Sequence, residues 1–152
     1  MNYRGISLLS CVSKLYTSFL NKRLTGYLEN NNILADEQNG FRKGRSCEEH
    51  VFTLSSVIRN NKSVFTAYID LKRCFDYIER DMLLYKLLLN NIDGKMYNSV
   101  KSIYASSTSC IRLNNKTTAW FECRTGVKQG CNLSPTLFSI FANDLVAEIN
   151  NL

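Results

Sequence analysis

A chain of 152 residues with 45% hydrophobic content and a single proline has enough material for one domain with a real core, and it does not read as disordered. The net charge of +6 and a pI near 9.1 favour an anionic partner such as nucleic acid. Six cysteines without a C-x-x-C pair, beside one histidine, argue against a zinc site and read as reduced thiols of an intracellular protein. The N-terminus has no apolar signal core, no apolar run is long enough to cross a membrane, and no linker marks an internal boundary.

In chain order, residues 8–28 predict an amphipathic helix. Leu8, Val12, Leu15, Phe19 and Leu24, with Tyr16, Leu20, Tyr27 and Leu28, fall on one side, and Ser7 or Ser10 serves as the N-cap. A polar loop, DEQNGFRKGRS, covers residues 36–46, where Gly40 and Gly44 permit unusual backbone angles. Ser46 and Glu49 then form a capping box for a helix running to about Arg59, with Val51, Leu54 and Ile58 as its inner stripe.

Residues 64–70, VFTAYID, read as a short buried strand. Asp76 and Glu79 have capping spacing for a helix over about 79–89 carrying Met82, Leu83, Leu84, Leu87 and Leu88. A short helix over 96–104 follows. Residues 109–113 and 118–124 predict two strands joined at Asn114-Asn115. Ser134 as N-cap and Pro135 at the first helical position open a last helix, with Leu137, Phe138, Ile140, Phe141, Leu145, Val146 and Ile149 on its apolar side. The order of elements is that of a mixed α+β domain.

Asp70, at the exit of an apolar run, has two readings: a carboxylate placed to hold a catalytic divalent ion, or a solvated strand-end residue. Asp76 reads as a helix cap rather than a second metal ligand. Arg42, Lys43 and Arg45, between two glycines and ahead of a helix N-terminus, form either a phosphate cradle or a solvated basic loop. Gln129-Gly130 lies in a polar turn, where Gln suits a ligand hydrogen bond or ordinary turn chemistry. Tyr104, Trp120 and Phe121 have rings that stack on bases, with packing in the core or hairpin as the simpler use. His50 reads as structural.

Four segments carry a resemblance: NYRGISLLSCVSKLYTSFLNKRL, EQNGFRKGRSCEEHVFTL, AYIDLKRCFDYIERDMLLYKL and GVKQGCNLSPTLFSIFANDL. In this order they resemble blocks of reverse transcriptases of non-LTR (LINE-type) retrotransposons and, more distantly, of group II intron reverse transcriptases. The resemblance implies right-hand polymerase fingers over about residues 1–62. It implies a partial palm, with interleaved fingers elements, over about 63–152. It also implies RNA-directed DNA polymerase activity with RNA template, DNA primer and dNTPs as partners, two Mg2+ ions (Mn2+ as a substitute), and a location in nucleus or cytoplasm.

Residue by residue, the resemblance implies that Asp70 binds both ions, with the Leu71 carbonyl on one. Backbone amides near Arg73, Cys74 and Phe75 touch the triphosphate, and the Phe75 ring excludes a 2′-hydroxyl. Arg42, Arg45 and Lys43 hold phosphate oxygens, and Gln129 and Gly130 line the nucleotide and template pocket. Cys74 stands where the family often has alanine. The family's aromatic-x-Asp-Asp hairpin has no counterpart: the 152 residues contain no adjacent Asp-Asp, and Asn143-Asp144 falls in the last predicted helix. The chain is accordingly expected to be a fragment, truncated before the Asp-Asp hairpin and thumb, with little activity alone. The alternative is a non-catalytic nucleic-acid-binding remnant of a retroelement.

Overall fold

The computed structural model describes residues 5–150, apart from the side chain of Asn150, so residues 2–4 of the first block lie outside the described residues. Helix α1, Cys11–Asn30, begins where the Ser10 hydroxyl accepts from the Ser13 amide at 3.2 Å. Its buried stripe is Thr17, Leu20, Leu24 and Leu28. The N-terminal apolar residues expected on the same stripe, Leu8, Val12, Leu15 and Phe19, are exposed instead. Helical period alone cannot tell which end of a long stripe meets a neighbour.

Helix α2, Cys47–Asn60, has the expected capping box: the Glu49 amide donates to the Ser46 hydroxyl at 3.3 Å, and the Ser46 amide donates to the Glu49 carboxylate at 3.0 Å. None of its residues is buried, so Val51 and Ile58 do not form an inner stripe among the described residues.

Helix α3, Arg80–Leu89, is capped by Glu79, whose carboxylate accepts from the Met82 amide at 2.7 Å. Asp76 is therefore not the cap that its spacing suggested. Helix α4, Gly94–Ala105, and helix α5, Ser134–Asn150, complete the helical set. Ser134 does not act as an N-cap: it is the first helical residue, and its hydroxyl donates to the Lys128 carbonyl at 2.8 Å.

The core forms where α3 packs on α4 and α5 and where α1 packs on α5. Leu24, Leu28, Ile78, Leu83, Leu87, Val100, Leu133, Leu137 and Ile140 are its near-fully buried apolar members. Each such side chain stabilises the fold by about 1.5–3 kcal/mol relative to exposure. Polar ties lock the helices in register: Thr136 donates to Asn21 at 2.6 Å, and Asn143 bonds both the Ala35 amide and the Ile33 carbonyl at 2.9 Å.

Two short antiparallel ladders form one interrupted hairpin. Strand β1, Thr108–Ser109, pairs with β4, Phe121–Glu122; strand β2, Arg112–Leu113, pairs with β3, Lys116–Thr117. Asn114 and Asn115 both have left-handed φ, 47° and 61°, as a two-residue type I′ turn requires. Between the ladders Cys110 and Ile111 face three residues, 118–120, which makes a bulge. Trp120, on the bulged side, is 70% exposed rather than packed, whereas Tyr104 is buried.

Residues 64–70 do not form the expected buried strand. Phe65, Tyr68 and Ile69 are exposed, and the segment has no ladder partner among the described residues. The composition favours a strand, but a strand also needs a neighbour for its backbone groups. All six cysteines are free thiols, and no described helix is long and apolar enough to cross a membrane.

Candidate nucleotide site

The site is built where the turn after Asp70 docks onto the loop before α5. Arg73 adopts a left-handed φ of 52°, and its carbonyl accepts from the Asp76 amide at 2.9 Å and the Tyr77 amide at 3.3 Å. This closes a tight turn carrying Cys74 and Phe75. The Phe75 carbonyl accepts from the Val127 amide, and the Ile78 carbonyl from the Gly126 amide, both at 2.8 Å. Gly126 has φ of 76°, and a Cβ there would lie 2.6 Å from the Asp76 carbonyl oxygen. Only glycine lets the two backbones meet this closely.

The docking joins Phe75 and Asp76 to Gln129 and Gly130. The Gln129 side-chain amide donates to the Asp76 carboxylate at 2.9 Å, and the Gln129 backbone carbonyl accepts from the Ser7 amide at 2.7 Å. At Gly130 a Cβ would lie 2.7 Å from the Ser7 carbonyl oxygen. Phe75 is half-buried, stacked on Phe138 of α5 with centroids 4.9 Å apart; Phe41 meets it edge-on at 6.2 Å. Phe41 carries a left-handed φ of 62°, an unusual state for a bulky residue. Loop 36–46 thus reaches the Phe75 ring.

Arg80 fixes the opposite side of the loop. Its guanidinium donates to the carbonyls of Gly126 (3.0 Å), Thr125 (3.1 Å), Tyr104 (3.3 Å) and Cys123, and it lies 5.0 Å over the Tyr104 ring. Burial holds its pKa below the usual arginine range, and no carboxylate pairs with it among the described residues. Burial also pushes the Tyr104 hydroxyl up to about 12.

The basic loop is differently disposed. Arg42 donates to both Glu29 oxygens at 2.8 and 2.9 Å and to the carbonyls of Ala35 (2.8 Å) and Gln38 (3.2 Å). Its hydrogen bond holds the Glu29 carboxyl below its ordinary value, and the same bond raises Arg42. Arg45 reaches Asp36 at 3.1 Å, while Lys43 is exposed without an ion pair among the described residues. Both arginines therefore brace the loop in this structure.

Asp70 and Leu71 are exposed on the approach to the turn. No cluster of three His, Cys, Asp or Glu side chains suited to a metal occurs among the described residues. A cavity of about 410 Å³, lined by Arg80, Tyr104, Ser107 and Cys123 among others, includes none of the expected site residues. His50 is exposed in the first turn of α2.

The structure thus gathers Phe75, Gln129 and Gly130, with Asp70 and Arg73 entering along the same segment. Sequence reasoning missed Phe41, Asp76, Arg80 and Phe138. Asp76 was visible as an acid beside Phe75, but its partner lies 53 positions away. Nothing local marks an arginine whose partners are backbone carbonyls.

The chain belongs to the reverse transcriptase (RNA-dependent DNA polymerase) family, which matches residues 1–152. It is similar to the probable RNA-directed DNA polymerase from transposon BS of Drosophila melanogaster, with 34% identity over 95% of the chain and 16% of that protein. It is 28% identical to the RNA-directed DNA polymerase from mobile element jockey of the same organism, over 95% of the chain and 16% of the relative. It is 27% identical to a Transposon TX1 uncharacterized 149 kDa protein of Xenopus laevis, over 91% and 11%. The relatives place the domain among reverse transcriptases of non-LTR retrotransposons, and the chain spans about a sixth or less of their length.

Proposed function

We propose that this chain supplies the fingers and part of the palm of an RNA-directed DNA polymerase that adds dNTPs to a primer 3′-hydroxyl on an RNA template. About residues 1–62 correspond to fingers and about 63–152 to palm with interleaved fingers elements. The observation that carries the reading is the docking of the Phe75–Asp76 turn on Gln129, which unites two family blocks that are far apart in sequence.

Asp70 and the Leu71 carbonyl have the hard oxygen donors that Mg2+ or Mn2+ takes. One carboxylate is fewer than two ions need, and no further cluster exists among the described residues, so other ligands must complete the set. Bound divalent ions lower the cost of deprotonating the primer hydroxyl and neutralise charge gathering on the phosphate. The chain's own residues bind and orient. The left-handed Arg73 turn presents amides near Cys74 and Phe75 to phosphate oxygens. The Phe75 ring, held between Phe41 and Phe138, faces the sugar and disfavours a 2′-hydroxyl. Gln129 and Gly130 line the nucleotide pocket. Lys43, with no ion pair among the described residues, is exposed to meet phosphate, whereas Arg42 and Arg45 do so on exchanging Glu29 and Asp36 for the ligand.

Nuclear magnetic resonance of the chain with millimolar dTTP and Mg2+ tests the reading. Shift changes are expected to cluster on residues 70–76 and 127–130. Changes confined to other surfaces would overturn it.

A further inference from the structure

Asp76 has no ligand-binding role in the reading above, yet among the described residues it is the sole side-chain partner of the Gln129 amide. An ionised carboxylate only accepts hydrogen bonds, so it can face only the NH2 end of a carboxamide. With Nε2 on Asp76 Oδ1 at 2.9 Å, Oε1 is the end without a partner among the described residues, and it is an acceptor. We propose that Asp76 is a positioning residue that fixes the rotation of the Gln129 amide and so the hydrogen-bonding sense that Gln129 presents to its ligand. The inference rests on the nucleotide-site reading of Gln129.

Both ends of the pair are held by backbone. Asp76 sits in the turn closed by Arg73 and bonded through Phe75 to Val127. Gln129 is held by its backbone carbonyl on the Ser7 amide and by the close approach of Gly130 to Ser7. The carboxylate therefore meets the amide without ordering a mobile segment. Because Asp76 immediately follows Phe75, one turn sets both the ring and the anchor of the amide. The pair is exposed, so removing it should leave thermal stability nearly unchanged.

The test measures the Gln129 side-chain amide by 15N NMR, together with dTTP–Mg2+ affinity, in wild type and in D76A, D76N, Q129A and the D76A/Q129A double variant. In D76A the Gln129 amide protons should shift upfield and exchange faster at an unchanged melting temperature. Affinity should fall about 3–10-fold in D76A, equally in Q129A, and no further in the double variant. D76N, which accepts or donates, should admit both amide rotations and lie between. An unresponsive Gln129 amide in D76A, or weakened binding in Q129A with none in D76A, would overturn the proposal. An amide that responds to D76A while neither substitution changes affinity would uphold the pairing and refute the nucleotide reading of Gln129.

Discussion

Replacing Gly126 by alanine should break the contact on which the site depends. The added Cβ would lie 2.6 Å from the Asp76 carbonyl oxygen and 2.8 Å from that of Phe75, both backbone atoms. The φ of 76° adds strain that an L-residue relieves only by moving the chain. A left-handed alanine costs about 1–2 kcal/mol. Relieving an overpacked contact costs typically about 1–3 kcal/mol. Together they give a loss of about 2–5 kcal/mol, a large part of the roughly 5–15 kcal/mol that holds a domain folded. With a urea slope of about 2 kcal/mol per molar, the midpoint should fall by about 1–2.5 M. Urea denaturation followed by circular dichroism measures this. G26A is the control: Gly26 lies within α1 with open space around it, so alanine should stabilise by about 0.5–1 kcal/mol. A G126A midpoint within about 0.5 M of wild type would refute the packing argument.

Alkaline unfolding should report Tyr104. Its raised folded pKa means that the unfolded chain ionises first, so stability present below pH 10 is lost as pH rises towards about 12. The loss is about 2–3 kcal/mol, and Y104F should remove this slope in a pH-dependent urea titration. Acid should act through Glu29 in the opposite sense: its lowered pKa contributes stability above the ordinary value of 4.5, lost as pH falls through the folded value. The carboxylate is 43% exposed, so the effect should stay below about 1 kcal/mol, and E29Q should flatten the acid limb of the stability profile. L87A, at a fully buried position between α3 and its neighbours, should cost about 2–5 kcal/mol by calorimetry or urea.

Features set by local chemistry were legible in the sequence. The Ser46–Glu49 capping box and the Asn114-Asn115 turn depend on a few adjacent residues, and both occur as read. Features that depend on distant partners were not. The 64–70 run has strand composition, but pairing is decided by a neighbour that the described residues lack. The Asp76-x-x-Glu79 spacing reads as a cap by Asp76, yet Glu79 takes the Met82 amide, leaving Asp76 for Gln129. At the candidate site, motifs singled out Phe75, Gln129 and Gly130, but not the contact between their segments. Phe41, Phe138 and Arg80 act through contacts across the fold that no motif spacing encodes.

Asp70 is proposed as a carboxylate of a reverse-transcriptase reaction centre. The direct measurement is RNA-templated primer extension by a chimera in which residues 1–152 replace the matching segment of the transposon BS polymerase. Mg2+-dependent DNA synthesis is expected, falling at least about 1,000-fold in the D70A chimera. Synthesis by the D70A chimera at the level of its parent would show that Asp70 has no part in the reaction centre.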